Sequence, residues 1–144
     1  MQSTVQEETL PLAQIRNLHH PRCVACDPDR PHGFHLIFDE APDGWVEATI
    51  TLDREWEGYS GVCHGGIVAT LLDSAMTNCL FAHGVAAVTA SMQIRFLHPV
   101  PVGEELTVRG HRFNERHQLH DVEAELLRGK KRLAIAKATF MRRV

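Results

Sequence analysis

The sequence predicts an α+β fold in which one long central helix is wrapped by a curved antiparallel sheet of five to six strands. Three observations carry this reading. The stretch from the Gly65-Gly66 pair to about residue 82 is apolar on nearly every side when projected as a helix, with Val68, Leu71, Ala75 and Ala82 on one side and Ala69, Met76 and Leu80 toward the other. Segments before and after it alternate apolar and polar residues with period two. At 144 residues the chain has room for one core, so a helix that is apolar all round can be enclosed only by those strands. Residues 1–144 therefore read as a single domain, with 1–20 a short N-terminal extension or helix.

Taken in order, residues 10–19 form a short helix, and 21–33, with Pro28 and Pro31, an irregular connection. Residues 33–39 (GFHLIFD) and 45–52 (WVEATITL) are expected to pair as an antiparallel hairpin across Pro42, Asp43 and Gly44. A glycine-rich loop, residues 58–66, leads into the helix, which stops at His83-Gly84. Strands follow over 87–97, 105–113, 120–127 and 133–141, the first two separated by the breaker His98-Pro99-Val100-Pro101-Val102-Gly103.

Charge and composition exclude several classes of function. A formal charge of -3 and a pI near 6.3 leave no basic stripe for a phosphate backbone; Lys130, Lys131 and Arg132 are only a small cluster, so nucleic acid is not an expected partner. Residues 1–14 are polar and acidic and lack the pattern of a secretory signal, which implies a cytoplasmic protein. The apolar stretch 67–82 is broken by Thr70, Asp73, Ser74, Thr77 and Asn78 and falls short of the roughly 20 residues a bilayer requires, so no membrane span is expected.

Four cysteines in such a chain read as reduced thiols. Cys23 and Cys26, with His19 and His20, offer half of a tetrahedral zinc set, but no second C-x-x-C or H-x-x-x-H follows at finger-like distance. The pair is therefore read as neither a metal site nor part of catalysis. No metal or cofactor is expected. Cys63 adjoins His64, yet neighbours in sequence rarely face each other as nucleophile and base, and it reads as a loop thiol.

The residue that demands a reason is Asp73. A carboxylate in the middle of a buried helix costs several kcal/mol unless it is paired or hydrogen-bonded. Gly66, Ala69, Thr70 and Thr77 project beside it, all small or hydroxylic, so the carboxylate looks into space. The competing structural reading bonds it to Thr70, Thr77 or a second subunit. The other feature is His64-Gly65-Gly66, where the free N–H groups and the positive end of the helix dipole point outward together, an arrangement suited to a developing oxyanion.

Residues 58–76 (GYSGVCHGGIVATLLDSAM) resemble the signature of hotdog-fold acyl-coenzyme A thioesterases of the phenylacetate-pathway, or PaaI-like, family. Residues 89–99 (TASMQIRFLHP) with Val102-Gly103-Glu104, and Cys23-Val24-Ala25-Cys26 ahead of Pro31-His32-Gly33-Phe34, extend the likeness over about residues 20–143. The resemblance implies hydrolysis of an acyl-CoA substrate. Asp73 would be general base or nucleophile, the Gly65 backbone N–H the donor to the thioester carbonyl, and Thr77 a hydroxyl placing the water or the acid. His64 would orient the loop or touch substrate, while Gly66, Thr89 and Ser91 would line the substrate. Members often carry an Asn or Gln seven residues before the glycine matched by Gly65; here that position is Gly58, with Glu57 beside it, so the contact is absent or supplied by His64 or Glu57.

Helix geometry adds a requirement of its own. Gly65 and Asp73 stand roughly 12 Å apart along one helix, too far for one carbonyl to reach both, so a site using both needs two chains. A two-fold homodimer with antiparallel helices meets this condition, paired further as a dimer of dimers. Two other readings stay open: a hotdog dehydratase or hydratase, for which no second motif is present, and a non-catalytic acyl-CoA binding module, for which an acid is a poor lining.

Overall fold

The computed structural model describes residues 10–143. Its elements are α1 (Leu12–His19), β1 (Asp39–Glu40), β2 (Val46–Thr51), a single 3-10 turn at Arg54–Trp56, α2 (Gly65–Ala82), β3 (Ala87–Phe96), β4 (Glu105–Arg116), β5 (Leu119–Arg128) and β6 (Lys131–Arg142). The strands form one antiparallel sheet in the order β1-β2-β4-β5-β6-β3. Register shifts at Thr89/Ser91, Arg112/Asn114 and Leu126/Leu127 bend it around α2. The expected architecture is present. Residues 1–9 of the expected N-terminal extension lie outside the described residues.

α2 is enclosed on most of its surface: Val68, Leu71, Leu72, Ala75, Met76, Cys79, Leu80 and Phe81 are all buried. By length and apolarity this helix could cross a bilayer, contrary to the sequence expectation, but its apolar surface is already used as the core of the sheet. Its C-terminus closes where predicted, with His83 capping and Gly84 at φ +74°. Inward residues of the strands, among them Leu106, Val108, Val122, Ala124, Leu126, Ala134 and Phe140, complete the core.

Helix and sheet come close together at Gly110 on β4. A Cβ there would stand 2.5 Å from the Ala75 carbonyl oxygen, which is backbone and cannot rotate away. Gly110→Ala should therefore lift α2 off the sheet and destabilise the fold by about 1–3 kcal/mol or more, measured by urea unfolding; unchanged stability would mean that the helix sits more loosely than this.

The predicted hairpin is corrected. β1 is two residues long, and residues 33–38 are not a strand although Phe34, Leu36 and Phe38 are buried in alternation. The Phe34 and Leu36 amides donate to the Val24 and Ala25 carbonyls, so this extended segment hydrogen-bonds to the preceding loop, and His35 at φ +54° breaks any ladder. In the other direction β4, β5 and β6 run longer than predicted, because their polar ends pair across tight turns at His117 (φ +56°) and Gly129 (φ +61°).

Candidate active site

The helix N-terminus is built by the glycine loop. His64 is the N-cap, its Nδ1 accepting from the Gly66 amide at 2.9 Å, while its own amide donates to Trp56 O. The amides of Ile67 and Val68 donate back to His64 O. Among the described residues the Gly65 N–H donates to nothing, leaving one backbone donor free at the positive end of an 18-residue helix. Packing within the chain does not demand a glycine at this position, since a Cβ on Gly65 would meet only the Phe96 ring, at an ordinary 3.7 Å. Gly66 is tighter: a Cβ there would press on the His64 imidazole at 3.2 Å.

Asp73 is half-buried on α2, and its partner is neither Thr70 nor Thr77. Thr70 Oγ1 donates to Gly66 O at 3.0 Å, inside the helix, and Thr77 is buried one turn beyond. The bond to Asp73 comes from β3, where Thr89 Oγ1 donates to Asp73 Oδ1 at 2.5 Å. Thr89 stands at the register shift of β3, and such a bulge re-aims a side chain that regular pleating would send elsewhere. Ser91 is not brought to Asp73; it lines a shallow groove with Gln93, Phe113, Asp121 and Lys137.

Burial raises the Asp73 carboxyl above its ordinary value, and the Thr89 hydroxyl holds that rise back; the His20 ring and Cys23 thiol act more weakly, the first lowering and the second raising it. If Asp73 acts ionised, the acid limb of kcat/KM should lie above the usual carboxylate range. Thr89→Val removes a donor that favours the ionised form, so that limb should move to still higher pH, with the loss of rate greatest on the acid side. A pH–rate profile checks this, and an unmoved limb would show that Asp73 does not titrate in the rate-determining step.

Around Gly65 the surface opens into two adjoining hollows, one lined by Gly58, Tyr59, Cys63 and His64, the other by Val62, Val68, Phe96 and Val100. Neither includes Asp73. Within a single chain the free amide and the carboxylate thus face separate spaces, as the helix rise requires. Tyr59, 87% exposed in the loop, lines the first hollow, and its one signal in the sequence is an aromatic among glycines. At the missing-amide position, Gly58 packs on His64, and Glu57 is occupied in accepting from the Gly61 amide at 2.7 Å. Arg109 is held by Asp43, Glu47 and Glu125, and Arg116 by Asp121, so neither stands free for a phosphate. The structure also draws His20, Cys23 and Cys26 together at the far end of α2.

Residues 60–135 match the model of the thioesterase superfamily, and the chain belongs to that family. Acyl-coenzyme A thioesterase 13 of Homo sapiens is 30% identical over 85 residues, which is 58% of this chain and 60% of that protein. The Escherichia coli acyl-coenzyme A thioesterase PaaI is 30% identical over 86 residues, covering 56% of this chain and 59% of its own length. This chain thus spans about 60% of the length of these two relatives. The E. coli PaaI structure superposes with a TM-score of 0.70 at 24% identity, covering 76% and 84% of the two chains. A hypothetical thioesterase from Streptococcus pneumoniae, solved with coenzyme A, gives 0.68 at 20% identity, covering 74% and 86%. These two structures share the hotdog fold found here.

Proposed function

We propose that this chain hydrolyses acyl-coenzyme A thioesters, with Asp73 as general base or nucleophile and the Gly65 N–H polarising the thioester carbonyl. The observation that carries this reading is the pair on one helix: an unbonded Gly65 amide at its N-terminus and, two turns on, a half-buried carboxylate held by a single hydroxyl. In the base mechanism Asp73 takes a proton from water as the water oxygen bonds to the carbonyl carbon; the oxyanion is met by the Gly65 amide, and collapse breaks the C–S bond as Asp73 returns its proton to the leaving sulfur, releasing acid and the thiol of coenzyme A. The names of the relatives, and the coenzyme A in the S. pneumoniae structure, support this substrate class.

The catalytic unit in this reading is a homodimer. β3 is an edge strand of ten residues whose outer side has no partner among the described residues, and Val88, Phe96 and Leu97 are exposed along or just beyond it. Its course links the two halves of the site, because Thr89 touches Asp73 near one end and Phe96 lies against Gly65 at the other. Antiparallel pairing of two such edges about a two-fold axis near Met92 and Gln93 brings the Gly65 end of one chain opposite the Asp73 end of the other. Pairing of dimers into a tetramer remains part of the proposal.

The test is a panel of acyl-CoA thioesters of varied chain length and aromatic character, followed by release of free thiol. Thiol release supports hydrolysis; a change in the acyl double bond without thiol would make the protein a hydratase, and saturable binding alone a binding module.

A further inference from the structure

We propose that His20, Cys23 and Cys26 bind one zinc ion, which ties together the loop that packs against the end of the central helix. The sequence offers Cys23 and Cys26 with His19 and His20 but no second C-x-x-C or H-x-x-x-H at finger-like distance, which speaks against zinc. What the fold adds is the choice between the two histidines: His20 meets both thiols. One ligand atom from each of the three residues lies within 4.8 Å of the others, and Cys26 Sγ stands 3.8 Å from His20 Nδ1. Tetrahedral zinc, with bonds of about 2.3 Å to sulfur and about 2.1 Å to nitrogen, separates those two donors by about 3.6 Å. The observed spacing needs only a small contraction.

The backbone holds the three residues there without metal. His20 N donates to Arg16 O at the end of α1, Cys23 N to His20 O, and Asp27 N to Cys23 O, so successive turns carry each ligand back to the last. The Ala25 amide points at Cys23 Sγ at 3.4 Å, a backbone donor of the kind that supports a sulfur ligand. The His20 ring is set edge-on to Phe81, with centroids 5.1 Å apart at 82°, which fixes the direction of its nitrogens. His19 is turned away and stacks on the same ring from 6.3 Å. Cys26 is 1% exposed, and the buried Asn78, whose Oδ1 has no hydrogen-bond partner, lies against its thiol. Two thiols and an imidazole are a donor set that selects zinc over the hard cations, and three protein ligands leave the fourth position to solvent.

The local fold gives the ion something to do. Residues 20–38, between α1 and β1, contain no helix or strand, a length at which compact domains rarely leave a loop unsupported. Yet this segment packs Phe34, Leu36 and Phe38 into the core and runs past the end of α2 where Asn78 and Phe81 lie. A metal bound only in the folded state adds its binding free energy to stability.

The experiment uses the full chain, reduced and purified from zinc-sufficient medium. Elemental analysis should find about one zinc per chain, and protein stripped by a chelator should take up about one Co²⁺, with thiolate-to-cobalt charge transfer in the near ultraviolet and strong tetrahedral bands in the visible. His20→Gln and Cys23→Ser, both at half-buried positions and each checked for native circular dichroism, should lose the charge-transfer band or weaken Co²⁺ affinity at least tenfold, whereas Cys63→Ser should not. Failure of the reduced wild-type chain to hold either ion, isolation of a metal-free chain with a Cys23–Cys26 disulfide, or loss of cobalt in Cys63→Ser with retention in Cys23→Ser would overturn the proposal. The readout is independent of thioesterase activity, so it stands or falls apart from the function proposed above.

Discussion

Asp73→Asn is expected to lower kcat by about 10²- to 10⁴-fold, the usual contribution of a positioned general base, with little change in KM. The amide keeps the shape of the side chain and can still accept from Thr89, whose hydroxyl lies 2.5 Å from Asp73 Oδ1. What it cannot do is take a proton from water or attack carbon. Stability supplies a second, opposite readout. Because burial raises this carboxyl in the folded state above its unfolded value, the native chain holds the proton more tightly between those two values, and folding weakens as pH rises through that window. At neutral pH the wild type therefore carries a partly desolvated charge that Asn lacks, and the variant should melt at the same or a higher temperature. The advantage should fade as pH falls below the ordinary carboxylate value, where the wild-type group is protonated in both states. Turnover within a few-fold of the parent would remove Asp73 from the chemistry. A clear loss of melting temperature would favour a structural carboxylate.

Mixing two inactive chains is expected to restore activity. Asp73→Asn lacks the base, and Gly65→Leu fills the space in front of the oxyanion donor while meeting, inside its own chain, only the ring of Phe96. If each site draws Gly65 from one subunit and Asp73 from the other, a heterodimer holds one site with both defects and one with neither, and should recover about half of the wild-type rate per dimer. The physical ground is distance: both residues lie on α2, eight positions or roughly 12 Å apart, whereas the donor and the attacking group must each come within about 3 Å of the same carbonyl. The two hollows at Gly65, which exclude Asp73, agree with that. Verified heterodimers without rescue, or an active monomer in sedimentation, would show that the site is completed within one chain.

Much of this protein is legible in its sequence. The central helix, its stop at His83-Gly84, the four strands after it and the odd carboxylate at Asp73 all follow from periodicity, turn residues and the cost of burying charge, which act over a few residues of chain. Three things could not be read in this way, because each depends on how the chain folds back on itself. Thr89, and not Thr70 or Thr77, bonds to Asp73 because a bulge in β3 turns it toward the helix, and bulges leave no mark in an alternating pattern. Residues 33–38 have the alternation of a strand, yet bond to the loop at Val24 and Ala25, since burial pattern reports which side chains point inward but not where the backbone finds its partners. Of the two adjacent histidines it is His20 that meets Cys23 and Cys26, its ring set edge-on to Phe81. Local sequence determines which elements form and which residue is out of place among them; the register of strands and the approach of the helix to the sheet, as close as Gly110 allows, decide which distant side chains meet.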